Sequence, residues 1–126
     1  MGTVLADFKR ILGNDPVLVP SSTGDLPSWH TQFNTGGIRT DFSAILMLSA
    51  IGVGGSGQAD VFINDKFVGT ITNTQPDMFI MQMIIIDKPK EAKFQGSDGD
   101  DNEIAIKHVS QSFRIKDIVC FFHQES

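Results

Sequence analysis

The sequence predicts an all-β protein, a single antiparallel β-sandwich with one short N-terminal helix. Three observations carry that expectation. Apolar and polar residues alternate along several segments of strand length, the period of a half-buried strand. A hairpin signal, Asn64-Asp65 between two apolar runs, sits mid-chain. Helical periodicity occurs only before residue 13, with no strand–helix–strand rhythm after it, which argues against a parallel α/β architecture.

The chain has 126 residues, enough for one domain that buries roughly two-thirds of its unfolded surface. We read 1–126 as that domain, with a helix or arm at 1–13, a Pro/Ser/Gly-rich extended segment at 14–39 and the sandwich at 40–123. The formal net charge is −5, which disfavours a phosphate backbone as partner. Cys120 is the only cysteine, so no intramolecular disulfide can form. Residues 1–11 lack the pattern of a secretory signal. No apolar run approaches the roughly 18–20 residues that span a bilayer. The expectation is a soluble chain made in the cytoplasm without a signal peptide and without membrane insertion.

Element by element, Leu5, Phe8, Ile11 and Leu12 fall on one face of a helix over Val4–Leu12, and Gly13-Asn14 supplies a stop. Nine residues are marginal as a free helix, so the stripe must dock. Pro16, Pro20 and Pro27 mark extended chain, with a short edge strand at Val17–Val19. A strand follows over Thr40–Val53. The glycines after it, Gly54, Gly55 and Gly57, lack the Lys-Ser/Thr and the helix of a phosphate cradle. Asp60–Ile71 is a hairpin whose Asn64-Asp65 turn tolerates positive φ at both positions, pairing Phe62 with Phe67 and Val61 with Val68. Strands are also expected at Met78–Asp87, Glu103–Val109 and Phe113–Phe122. In the last, Phe113 and Ile115 face inward, and then Ile118, Cys120 and Phe122 do. That change of parity needs one extra residue near Lys116-Asp117, a β-bulge.

The segments Asp60-Val-Phe-Ile-Asn-Asp-Lys-Phe-Val-Gly69, Asn102-Glu-Ile-Ala-Ile-Lys107 and Phe113-Arg-Ile-Lys-Asp-Ile-Val-Cys-Phe121 together resemble the galactose-binding-like jelly roll of carbohydrate-binding modules. The resemblance covers about two-thirds of the chain and implies a fold more firmly than a ligand. Such modules rely on exposed Trp and Tyr, whereas this chain has no Tyr and a single Trp, Trp29. A sugar platform implied by the resemblance therefore falls on Trp29, with His30 and Phe33 beside it.

Catalytic chemistry has few parts to work with. The histidines, His30, His108 and His123, show no metalloprotease spacing, and Cys120 lies in an apolar run with no activating partner. His108 shares the parity of Ile104 and Ile106, which predicts a histidine at the edge of the core. No catalytic residue is nominated and no cofactor is expected. Asp98, Asp100, Asp101 and Glu103 form an acidic loop that offers oxygen ligands to Ca²⁺, though clustered acids in a loop are more often simply solvated.

The segment Met78–Ile86 is apolar on both parities except at Gln82. One core can bury only one face of a strand, so the other needs cover. On this reading Met78, Ile80, Gln82, Ile84 and Ile86, with Leu5 and Phe8 of the first segment, form an interface to other protein subunits or to a second copy. The sequence thus favours a non-catalytic assembly module, such as a phage virion component (capsid decoration, tail or adaptor). The alternative is a lectin-like module that binds a glycan, with or without Ca²⁺.

Overall fold

The computed structural model of the chain describes residues 4–22, 24, 26–35, 41–53, 59–72, 77–87 and 101–125. The described residues form strands and no helix. In chain order these are β1 (Val4–Leu12), β2 (Val17–Val19), β3 (Trp29–Phe33), β4 (Ala44–Ile51), β5 (Ala59–Ile63), β6 (Lys66–Ile71), β7 (Ile80–Ile86), β8 (Asn102–Lys107) and β9 (Phe113–Glu125). They build two antiparallel sheets. The first runs β1-β9-β4-β7, with β2 also paired to β9, and the second runs β3-β8-β5-β6.

The expected N-terminal helix is a strand. β1 pairs along β9 from Val4↔Glu125 to Leu12↔Ile118. A nine-residue helix offers one apolar stripe and unsatisfied ends, whereas β9 supplies a ladder partner along one side of the whole segment. Asp7 and Lys9 take the inward parity, opposite Phe122 and Cys120, yet stay exposed because β1 is the sheet edge. Inward-pointing charges on an edge strand discourage pairing with another chain.

The core lies between the sheets. From the first come Ala44, Leu46, Leu48 and Ala50 of β4, Ile84 and Ile86 of β7, and Phe113, Ile115, Ile118, Cys120 and Phe122 of β9. Val61, Ile63, Ile71, Ile104 and Ile106 meet them from the second. The bulge in β9 is present. Met47 pairs with Val119 but Ser49 pairs with Lys116, so β9 carries one extra residue there. Asp117 has φ 53°, and its N–H donates to the Gly13 carbonyl at 2.8 Å. The hairpin turn also forms, with Asn64 at φ 50° and Asp65 at φ 66°. Phe62 pairs with Phe67 as expected, but a register shift then sets Val61 opposite Gly69 rather than Val68.

The parity of β7 is the reverse of the expected interface. Ile84 and Ile86 are core residues, while Met81, Met83 and Ile85 point outward and are 49%, 56% and 59% exposed. Gln82 sits on the inner parity, where its Oε1 accepts from the Thr72 N–H at 3.3 Å. Among the described residues no helix is long and apolar enough to cross a membrane.

Candidate functional site

The outer face of the β3-β8-β5-β6 sheet gathers the polar chemistry of the molecule. Its inner parity goes to the core, so the alternate residues face out: Asp60 and Phe62 from β5, Glu103, Ala105 and Lys107 from β8, and His30 and Gln32 from β3. Register sets them in rows. His30 pairs with Ala105, Ala105 with Phe62, and Phe62 with Phe67. The next row joins Lys107, Asp60 and Thr70.

Asp60 is the fixed point of this face. Its Oδ2 lies 2.8 Å from His108 Nδ1, and its Oδ1 accepts from the Thr70 hydroxyl at 3.1 Å. The Phe62 ring meets His108 edge-on at 5.8 Å and Phe67 edge-on at 5.9 Å. Lys107 Nζ stands 4.8 Å from the Phe62 centroid and 3.7 Å from Asp65 Oδ1. On the β3 side His30 Nδ1 lies 3.5 Å from Glu103 Oε2.

The hairpin turn is bolted to the same face. Asn64 N–H donates to the Glu103 carbonyl and Glu103 N–H to Asn64 Oδ1, both at 2.9 Å. Asn64 Nδ2 also donates to Asn102 Oδ1 at 2.9 Å. These bonds hold Asp65 and the exposed Phe67 ring at a set position beside Phe62.

His108 departs from its expected place at the core edge. The strand ends at Lys107 and His108 takes φ 56°. That turn in the backbone swings the imidazole off the Ile104–Ile106 parity and onto the outer face, against Asp60. Nothing in the residue pattern signals a left-handed backbone at a histidine. The outward parity of Asp60 and Phe62, by contrast, is readable from the hairpin alternation, and sequence reasoning missed it by attending to aromatic type.

The residues singled out for sugar stacking do not share a surface. Trp29 and Phe33 take the inner parity of β3. Phe33 is 4% exposed and Trp29 packs against the core, so Phe33 presents no ring face to a ligand. His30 points the other way, onto the face described above. Of the acidic quartet, Asp98 and Asp100 lie outside the described residues, as do Gly54, Gly55 and Gly57; Asp101 is exposed and Glu103 is beside His30. Among the described residues no group of three or more His, Cys, Asp or Glu is placed to hold a metal ion.

The expected interface set is divided. Met78 and Phe8 are exposed, Ile80 and Gln82 are half-buried, and Ile84 and Ile86 are buried. Leu5 pairs with Gln124 in β1, and its side chain is outside the description. Cys120 is fully buried, and burial pushes its thiol up to about 12. His123 stacks on Phe42 with centroids 5.1 Å apart.

No family model matches the sequence, and no curated protein matches it. Solved structures do match the fold. The EclA C-terminal domain, a sugar-binding protein, aligns with TM-score 0.50 and 13% identity over 83% of this chain and 76% of its own. BuGH86wt in complex with neoagarooctaose aligns with TM-score 0.55 and 16% identity, covering 98% of this chain but 20% of that one. The C-terminal CBM6 of LamC from Zobellia galactanivorans aligns at TM-score 0.44 and 9% identity over 95% of this chain and 99% of its own. The fold is thus a β-sandwich like that of the EclA sugar-binding domain and of part of the BuGH86wt chain. The expectation of a virion or assembly subunit is corrected by the match to the EclA C-terminal domain, a sugar-binding protein. The residues expected at that interface are divided: Ile84 and Ile86 belong to the core, and the apolar face of β7 left exposed is that of Met81, Met83 and Ile85.

Proposed function

We propose that this chain is a non-catalytic, lectin-like module that binds a glycan on the outer face of the β3-β8-β5-β6 sheet. The observation that carries the reading is the Asp60 carboxylate, held by His108 and Thr70 next to the Phe62 and Phe67 rings. A sugar offers an apolar C–H face and a rim of hydroxyls. A site for it needs an exposed ring and a few fixed polar groups, and this face offers both. The likeness of the fold to sugar-binding proteins supports the same reading.

The arrangement also speaks against hydrolysis. Asp60 lies between Thr70 and His108. In a nucleophilic triad the histidine stands between acid and hydroxyl, where it can take the proton. Here the Thr70 hydroxyl proton is directed at the Asp60 carboxylate, with no histidine between them. The trio reads as a positioning device.

A glycan microarray followed by calorimetry tests the proposal. Wild type is expected to bind at least one glycan. Phe67→Ala, at a 59% exposed ring, is expected to weaken that binding about tenfold, or roughly 1.4 kcal/mol, with the melting temperature unchanged. Binding that survives both Phe67→Ala and Asp60→Asn at full strength would sink the assignment to this face. Calcium assistance is tested separately: a rise in melting temperature with Ca²⁺ that chelator reverses would support it, and none would remove it.

A further inference from the structure

We infer that the outer face of the β1-β9-β4-β7 sheet docks on an anionic lipid surface, lying at headgroup level without crossing the bilayer. Strand parity sets what this face presents. The rows Phe8–Phe121–Ile45–Ile85 and Arg10–Val119–Met47–Met83 cross the sheet from β1 to β7. Further along the strands Ser49 pairs with Lys116 and Met81, and Arg114 pairs with Leu18 and Ile51. Phe8, Leu18, Met83 and Ile85 are each more than half exposed.

The charges on this face are of one sign. Among its outward residues with described side chains, Arg10, Arg114 and Lys116 are charged and none is a carboxylate. Arg10 and Arg114 are exposed, and Lys116 is half-buried with its Nζ 4.4 Å from the Phe79 centroid. Asp117 is the extra residue of the bulge and follows neither parity, and Asp87 lies beyond the end of β7. The chain as a whole carries −5, so a surface of cations alone is a segregation of charge. The carboxylates of Asp60 and Glu103 belong to the other sheet. Packed sheets stand about 10 Å apart, more than the Debye length of about 8 Å at physiological salt. An anionic surface therefore meets the three cations at contact while the far carboxylates are screened.

Apolar and cationic groups on one surface select the occupant. An acidic polysaccharide would use the cations and leave Phe8, Met83 and Ile85 in water. A second copy laid face to face would bring the cations of both chains together with no carboxylate between them. Four strands about 4.8 Å apart and seven residues of about 3.3 Å give a patch of roughly 440 Å². That is about half of the ~800 Å² that each partner brings to a stable protein interface. An anionic bilayer supplies both chemistries at once, headgroups for Arg and Lys and the acyl boundary for the rings and thioethers.

The test is co-sedimentation of the whole chain with vesicles of phosphatidylcholine, alone or with about a third phosphatidylserine. Adsorption is expected on the anionic vesicles, far less on the neutral ones, with release in high salt. Each cation near such a surface contributes about fivefold in partition, so Arg10→Gln with Arg114→Gln is expected to lower it about 25-fold. Met83→Thr with Ile85→Thr is expected to lower it as well. Both pairs change exposed side chains, and unchanged melting temperatures show that a loss is not unfolding; should one pair fail to fold, the other carries the test. No adsorption on the anionic vesicles overturns the inference, as does adsorption that both pairs leave intact. A dimer in ultracentrifugation that Met83→Thr with Ile85→Thr dissolves would assign the face to a second copy and overturn it too.

Discussion

At the scale of single residues, the buried groups are the ones whose behaviour follows most directly from position. Cys120 is fully buried in β9, and desolvation raises its thiol from 9.0 to about 12. An acid whose folded pKa is raised stays protonated while the unfolded chain ionises. Its contribution to stability is therefore complete below pH 9 and is lost as pH rises from 9 toward 12. Two measurements follow. Native protein is expected to resist a thiol reagent at pH 8, with reactivity appearing only in denaturant. The alkaline limb of a melting-temperature profile is expected to shallow in Cys120→Ala, less the cost of the cavity; an unchanged limb would refute the assignment. His108 makes the opposite point. Its role against Asp60 depends on one backbone angle, φ 56°, and its strand parity predicts a different place.

At the scale of elements, Gly69 shows how closely β6 and β7 approach. A Cβ there would stand 2.8 Å from Ile84 Cγ2 and 3.1 Å from Cγ1. Ile84 is a core residue with little room to yield, so Gly69→Ala is expected to cost about 1–3 kcal/mol. The three nearest atoms all belong to Ile84, so Gly69→Ala with Ile84→Ala is expected to be less damaging than the two single losses added. Strict additivity in denaturant melts would show that the strain lies elsewhere. Much of this level was legible in the residue pattern. The Asn64-Asp65 turn, the Phe62–Phe67 pair and the β9 bulge each follow from a local rule of turn chemistry or alternation, and each is present. The first segment was not legible, because Leu5, Phe8, Ile11 and Leu12 satisfy a helical period while their pairing with β9, more than a hundred positions away, decides the outcome. The face of β7 was illegible for a related reason. With apolar residues on both parities, only the position of the second sheet selects Ile84 and Ile86 for burial. The candidate site suffers most, since its rows join β3, β5, β6 and β8 across distant stretches of sequence.

At the scale of the whole molecule the two outer faces differ in kind. One carries the Asp60 cluster and the exposed Phe67 ring. The other, on the first sheet, has an apolar row across β1, β9, β4 and β7: Phe8 pairs with Phe121, Phe121 with Ile45, and Ile45 with Ile85. Phe8 and Phe121 are in ring contact at 6.1 Å. Beside them lie Met47 and Met83, again paired. Phe8, Met83 and Ile85 are each more than half exposed. Contiguous apolar surface of this sort attracts amphiphilic dyes and lowers solubility. The native protein is therefore expected to enhance ANS fluorescence without any unfolding. Met83→Thr with Ile85→Thr is expected to reduce that enhancement while moving stability by no more than about 0.5 kcal/mol, because solvent-facing changes away from the core are nearly neutral. Thr also keeps the β-branched shape that suits a strand. Glycan affinity should be unaffected, since the core separates the two faces. If the double variant instead lost affinity, the ligand would be engaging the apolar sheet, and the Asp60 face could not be its site.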